Sequence, residues 1–233
     1  NVPAVASTCR TNQTAGFSIV SYTGNSVAGS KIAHNLNAQP SLIFLKNRDR
    51  SINWAVGHLA ANSFVDGDLN LNTTNAKGTG YVGFFGADPT SSVFTVQGNY
   101  ESNYANEDYI AYCFSPVEGY SSFPSHTVQS GTNFVYLGFR ARFVILKRTG
   151  VGTTTNISYA SWAMFDTERD TYNEVDFDTI LYGNRNYAEG KRGDGAGSTG
   201  GSYLNIDILS NGIRFQSGAA EFSQPSDKII VMA

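Results

Sequence analysis

The sequence predicts an all-β fold built from two tandem, sequence-related modules of β-sandwich-like or jelly-roll-like form, with little or no helix. Three observations lead to this prediction. Motifs of the first half recur in the second half in the same order. Short β-prone runs alternate with Gly, Asn and Pro, a pattern typical of sandwiches and barrels. Apolar residues rarely recur at helical spacing over the length that a helix needs.

The repeated motifs are an apolar run ending in lysine, a Trp-Ala pair and a closing strand that begins with an aspartate. The matches are 42–46 (LIFLK) with 144–147 (VILK), Trp54-Ala55 with Trp162-Ala163, and 108–112 (DYIAY) with 227–231 (DKIIV). The last match aligns Asp108 with Asp227. We therefore interpret the chain as an internal duplication.

The matches set the expected boundaries: an N-terminal arm or linker over residues 1–15, a first β-module over 16–118 and a second over 119–233. The spacing between matched residues grows along the chain, which indicates insertions in the second copy. Residues 150–156 and 190–201 are the expected insertions, since both are rich in Gly, Thr or Ser and packed domains tolerate extra length in loops.

Short β-prone runs predict the strands in order. In the first module they are expected at 17–22, 41–46, 53–58, 69–72, 93–96 and 109–114. In the second they are expected at 134–137, 143–147, 162–165, 179–182, 204–209, 213–215 and 228–232. Residues 166–170 are expected to form one helical turn at most. The last strand of each module is apolar, and an open apolar edge invites pairing with another chain, so closure or oligomerisation should cover it.

Composition excludes several classes of protein. Charged residues make up 15% of the 233, against roughly 25% in an average soluble domain. The net charge of −3 offers no cationic field for nucleic acid, and no apolar run is long enough to span a membrane.

Cys9 and Cys113 leave open one disulfide or two free thiols. Asn1 in place of Met indicates processing or a longer parent polypeptide.

Catalytic and metal-binding motifs are weak. His34, His58 and His126 have neither metal-ligand spacing nor a nucleophile turn nearby. We expect His34 and His58 to be structural and His126 to be exposed. The acidic residues Asp166, Glu168, Asp170, Glu174, Asp176 and Asp178 suggest a solvated loop, with calcium binding or glycoside cleavage as alternatives. No catalytic residue, cofactor or metal site is predicted.

Aromatic residues, 13% of the chain, are the remaining signal for a ligand. Exposed Tyr and Trp rings suit sparsely charged ligands such as sugars and also anchor protein interfaces. The tyrosines surrounded by Gly, Asn and Glu are the candidates for a ligand or interface site: Tyr81, Tyr100, Tyr104, Tyr172 and Tyr187. Trp54 and Trp162 are expected to pack in the core.

Several segments together carry a family resemblance. They are residues 16–25 (GFSIVSYTGN), 34–40 (HNLNAQP) leading into 42–46, 54–58 (WAVGH) and 109–112 (YIAY). In this order they resemble the tandem β-modules of tail-fibre and related virion proteins of tailed bacteriophages. The resemblance extends from Gly16 to Ala233. The second copy departs from it at residues 137–142, where LGFRAR replaces the His-Asn-Leu turn.

The resemblance implies a non-enzymatic virion component, a tail-fibre or surface-fibre protein displayed on the particle. Its implied partners are copies of itself, other virion proteins, and a glycan or protein of the host surface. Two other functions stay open at this point. One is a capsid decoration protein, which holds capsid neighbours together. The other is a tailspike-type glycan-degrading enzyme, which predicts a carboxylate pair facing a groove.

Overall fold

A computed structural model describes residues 2–61, 63–78, 83–150, 161–169, 180–186, 206–216 and 225–233. The chain forms two compact units: unit 1 comprises residues 1–71 and 77–117, and unit 2 comprises 72–76 and 118–233. The prediction of an all-β fold is confirmed, because a single 3₁₀ turn at Leu59–Ala61 is the only helical element among the described residues. None of these residues belongs to a helix with the length and apolar character to cross a membrane.

Unit 1 is a β-sandwich of two antiparallel sheets. Its strands are β1 (Ser7–Asn12), β2 (Phe17–Thr23), β3 (Ser30–Ala33), β4 (Leu42–Asn47), β5 (Ala55–His58), β6 (Phe85–Ala87), β7 (Val93–Val96) and β8 (Asp108–Phe114). One sheet has the order β1-β2-β8-β4-β5 and the other β3-β7-β6. Alternate residues of both sheets point into one shared core, with Val20, Leu45 and Ala111 from the first sheet and Ile32 and Phe94 from the second.

Unit 2 has a second sandwich with its own core. Its strands are β9 (Ser125–Thr127), β10 (Thr132–Tyr136), β11 (Phe143–Arg148), β12 (Trp162–Asp166), β13 (Leu181–Tyr182), β14 (Ile206–Leu209), β15 (Gly212–Gln216) and β16 (Lys228–Met232). The sheets have the orders β13-β12-β11-β16-β9 and β10-β15-β14. Val144, Leu146 and Val231 pack against Ile208 and Phe215 in the core.

Corresponding strands have the same neighbours in the two units. The order β2-β8-β4-β5 of unit 1 reappears as β9-β16-β11-β12 in unit 2, and β3-β7-β6 reappears as β10-β15-β14. The lysines matched from the sequence hold equivalent positions, since Lys46 lies opposite Ile110 and Lys147 lies opposite Ile230.

This register corrects one sequence match. Counting back from Ile110 and Ile230, Asp227 corresponds to Glu107 and not to Asp108. Glu107 directly precedes β8, as Asp227 directly precedes β16. Two adjacent acidic residues at 107 and 108 made the alignment ambiguous by one position, and only strand pairing resolves it.

Residues 1–15 are not an arm, because they contain strand β1. All six of its residues pair with β2, from Ser7 opposite Tyr22 to Asn12 opposite Phe17. Val5, two residues before β1, bridges Ile32 of β3. In β1, half-buried and exposed residues alternate, as expected for an edge strand. The strand carries almost no large apolar side chain, so hydrophobic periodicity did not reveal it.

Other strands were predicted unevenly. The runs expected at 17–22, 93–96, 109–114 and 143–147 are confirmed as β2, β7, β8 and β11. The run at 69–72 forms only a single bridge, between Asn70 and Ala55. The short strands β3, β6 and β9 were missed, since three or four residues show too little alternation to recognise.

Candidate functional site

Two of the five candidate tyrosines lie together in unit 1. The ring centroids of Tyr100 and Tyr104 are 4.2 Å apart, and the rings are tilted by 35°. Tyr100 is 44% exposed, and Tyr104 is half-buried. The other three candidates, Tyr81, Tyr172 and Tyr187, lie outside the described residues.

Arg50 completes this group, which we call the tyrosine–arginine cluster (Arg50, Tyr100, Tyr104). Its guanidinium carbon lies 4.2 Å from the centroid of the Tyr100 ring and 5.2 Å from that of Tyr104. These are cation–π distances. The Arg50 side chain keeps 42% of its surface exposed, so the cluster presents two aromatic rings and a cation to solvent.

Glu107 orients Arg50. The Arg50 Nε donates a short hydrogen bond to Glu107 Oε1, and the Glu107 side chain is largely buried. The largely buried carboxylate of Glu107 therefore holds the guanidinium group of Arg50 over the two tyrosine rings. The pair is close to neutral overall, so the cluster does not present a net positive charge to a ligand.

Asn47 forms hydrogen bonds with all parts of the chain that carry the cluster. Its Nδ2 donates to Tyr100 O at 2.8 Å and to Glu107 Oε2 at 2.6 Å. Its Oδ1 accepts from the backbone of the turn that carries Arg50, with Arg50 N at 3.1 Å. Asn47 is fully buried at the end of β4. One amide side chain thus places the arginine turn and the tyrosine loop against each other.

Two buried tyrosines hold the loop between β7 and β8. Tyr109 OH donates to Tyr100 O at 2.9 Å and accepts from Tyr104 N at 2.8 Å. Tyr22 stacks on Tyr109 with centroids 5.2 Å apart and donates to Ser102 O. Backbone groups on both sides of the exposed rings are therefore fixed, and the cluster is preformed.

The pKa values of Tyr22, Tyr104 and Tyr109 are all raised above the ordinary value of a tyrosine. Burial raises the pKa of Tyr109 to about 12. Burial also raises the pKa of Tyr22 well above its ordinary value, with Tyr109 adding to the effect. The pKa of Tyr104 is raised too, first by its hydrogen bond with Tyr100. All three remain neutral hydroxyls at physiological pH.

A family model described as a domain of unknown function, DUF7483, matches residues 2–233. The chain belongs to the DUF7483 family. No curated protein and no solved structure matches it. The matched range includes both units of this DUF7483 chain.

Unit 2 of the DUF7483 chain has a different charged pair at the equivalent strand ends. Arg148 stands at the end of β11 as Asn47 stands at the end of β4. Its Nε lies 2.6 Å from Asp227 Oδ2, and both side chains are buried. Burial raises the pKa of the Asp227 carboxyl, against the lowering effect of Arg148.

Lys147 of unit 2 is fully buried beside this pair. Its Nζ donates to Asn75 O at 2.9 Å and lies 5.9 Å from the centroid of the Trp162 ring. Burial, reinforced by the charge of Arg148, lowers the pKa of Lys147 to about 7. The matched Lys46 donates instead to the turn that follows its own strand, including Arg50 O at 2.9 Å.

The tryptophans differ in burial. Trp162 is buried, as expected. Trp54 is only half-buried and stacks on Tyr112 with centroids 6.3 Å apart. The expectation of a core position is therefore confirmed for Trp162 and only in part for Trp54.

The three histidines are buried or half-buried, and the two cysteines form no disulfide. His34 is buried, its Nε2 donates to Thr90 O at 3.1 Å, and burial lowers its pKa. His58 is buried as well. His126, expected to be exposed, is half-buried, because it packs edge-on against Phe215 and donates to Asn133 Oδ1 at 2.9 Å. The Cys9 Sγ donates to Ala33 O at 3.3 Å, and Cys113 is buried.

Most of the acidic run, residues 170–178, lies outside the described residues. Its first member, Asp166, shapes a turn by accepting from Glu168 N at 3.1 Å and Arg169 N at 2.9 Å. In the part of the chain that the structure describes, no three His, Cys, Asp or Glu side chains are grouped to hold a metal ion.

Sequence reasoning selected Tyr100 and Tyr104 but missed Asn47, Arg50 and Glu107. Arg50 belongs to a polar turn, NRDR at residues 47–50, which gave no sign of a site. Glu107 is equally inconspicuous in the sequence, because it stands between the polar residues Asn106 and Asp108. Only the folded chain brings these residues to the tyrosines.

Proposed function

We propose that the chain is a non-enzymatic structural component of a tailed-phage virion, a tail-fibre or surface-fibre protein that contacts a host-surface glycan through the tyrosine–arginine cluster. The motif order of the sequence supports the viral assignment, and the shared strand order of the two units supports a duplicated module. The proposed partners are further copies of the chain and other virion proteins, on the surface or tail of the particle.

The preformed tyrosine–arginine cluster carries the glycan proposal. Aromatic faces pack against the C–H faces of sugar rings, and the guanidinium and phenol groups offer hydrogen-bond donors to hydroxyls. Because Asn47, Glu107 and Tyr109 already hold the cluster in place, a ligand loses little free energy in ordering it. Several copies on one particle would convert weak single contacts into firm attachment.

The charge of the cluster favours neutral sugars over acidic ones. Arg50 is paired with Glu107, and the chain as a whole carries −3. An acidic polysaccharide would meet no compensating positive field. Binding to a neutral glycan should therefore weaken little as salt screens the surface charges.

The purified chain is to be incubated with a panel of bacterial surface polysaccharides while retention and new reducing ends are measured. Retention without new reducing ends supports the proposal. New reducing ends would establish a glycan-degrading enzyme, and the absence of both would favour a capsid decoration protein.

A matched pair of tyrosine variants identifies the surface. Tyr100→Ala should reduce retention at least tenfold. Tyr136→Ala removes an exposed tyrosine of unit 2, whose exposure is 66%, and should leave retention unchanged. Equal losses in both variants would contradict the assignment of the contact to the cluster.

A further inference from the structure

A polar cleft lies in unit 1 and is lined in part by Arg48, from the turn that carries Arg50. Its volume is about 270 Å³, slightly below the roughly 300–1,000 Å³ of pockets that hold drug-sized ligands. Strand β1 forms one wall, and β2 and the beginning of β8 form the others. Its lining includes Thr23, Arg48 and Asp108.

The cleft holds a donor and an acceptor that do not neutralise each other. Within the described residues neither Arg48 nor Asp108 forms an ion pair, although both line the cleft. Asp108 Oδ1 accepts from Thr23 Oγ1 at 2.8 Å, which leaves Oδ2 to accept from a ligand. A ligand with several hydroxyl groups can accept from the guanidinium and donate to the carboxylate at once.

The cleft and the tyrosine–arginine cluster share their supports. Asp49, between Arg48 and Arg50, accepts from Asp108 N at 2.6 Å. Tyr109 lines the cleft, and its hydroxyl accepts from Tyr104 N at 2.8 Å. Both sites thus depend on the same turn and the same buried tyrosine, and both are close to neutral.

We propose that this cleft is a second saccharide subsite, so that unit 1 recognises a neutral oligosaccharide with one sugar unit at the cluster and another in the cleft. This inference rests on the glycan binding proposed above. The cluster supplies stacking, and the cleft supplies the hydrogen bonds that select the arrangement of hydroxyls. The edge strand β1 is part of the binding surface.

The full-length chain is to be titrated with neutral oligomers of one to six units derived from dextran, mannan and galactan, with alginate oligomers as the acidic comparison. Affinity should rise between one and several units and should change less than twofold between low and moderate salt. Arg48→Met and Asp108→Asn should each lower the affinity for the longer oligomers at least fivefold, with little effect on the monosaccharide.

Two charge-matched controls are available. Arg140→Met removes an exposed arginine of unit 2, and Glu118→Gln removes an exposed carboxylate of the same unit; neither should alter binding. If the cleft variants bind the longer oligomers like the unmodified chain while Tyr100→Ala loses them, the subsite is refuted and the glycan-binding function stands. If no oligomer or polysaccharide binds the unmodified chain, both proposals are refuted.

Discussion

Glu107 and Asp227 occupy equivalent positions in the two units, each as the last residue before the closing strand, and each is paired with an arginine. Glu107 pairs with Arg50, which extends toward solvent over two tyrosine rings. Asp227 pairs with Arg148, which stays inside unit 2. The acidic residue at this position therefore orients the exposed Arg50 in unit 1 and neutralises the buried Arg148 in unit 2.

The buried pair in unit 2 should be sensitive to the loss of either partner. Asp227→Asn leaves the buried Arg148 without its counter-charge, which costs about 3–5 kcal/mol in comparable proteins. Urea unfolding should show this loss. The more exposed pair Arg214–Asp207 is the matched control, since Asp207→Asn should cost no more than about 1 kcal/mol. Equal losses of unfolding free energy in Asp227→Asn and Asp207→Asn would contradict this distinction between a buried and an exposed ion pair.

Asn47→Ala should destabilise unit 1 and loosen the tyrosine–arginine cluster. The change removes the hydrogen bonds to Tyr100 O and Glu107 Oε2 and leaves buried polar groups unsatisfied, at a cost of about 2–4 kcal/mol. Unfolding in urea measures the cost, and the near-ultraviolet circular dichroism of the tyrosines reports the cluster. Asn47→Asp should lose stability as well, because its charge lies beside Glu107. Unchanged spectra in both variants would show that Asn47 does not position the rings.

Lys147 should make the stability depend on pH. Its pKa is about 7 in the folded chain and about 10.4 in an unfolded one. Between these values the unfolded state binds more protons, so the free energy of unfolding should rise with pH, by at most about 1.4 kcal/mol per unit. Below the folded pKa both states are protonated, so Lys147 no longer makes the free energy of unfolding depend on pH.

Unfolding measured at several pH values between about 7 and 9 tests this expectation. Lys147→Met should flatten the rise, whereas Lys31→Met, which removes a half-buried lysine of β3, should retain it. A rise that survives in Lys147→Met would assign the pH dependence to another group.

Removal of residues 1–12 should destabilise unit 1, because β1 covers the edge of β2 and Val5 bridges β3. Loss of several backbone hydrogen bonds, each worth about 0.5–1.5 kcal/mol, should lower the midpoint of thermal unfolding clearly. The newly exposed edge of β2 should also promote association. Removal of residues 1–3, where Val2 is 82% exposed, is the control and should change neither property. An unaltered midpoint after the longer deletion would restore the interpretation of this segment as an arm.

The sequence by itself determined the all-β class, the positions of the long strands such as β2, β8 and β11, and the choice of Tyr100 and Tyr104 as surface candidates. These features are local: alternation with a period of two and the composition of neighbouring residues suffice to recognise them. Tertiary structure alone decided that β1 belongs to a sheet, that Glu107 corresponds to Asp227, and that Arg50 lies over Tyr100. Each of these depends on strand register or on contacts between residues far apart in the chain, where burial and hydrogen bonding select a partner that no local pattern specifies.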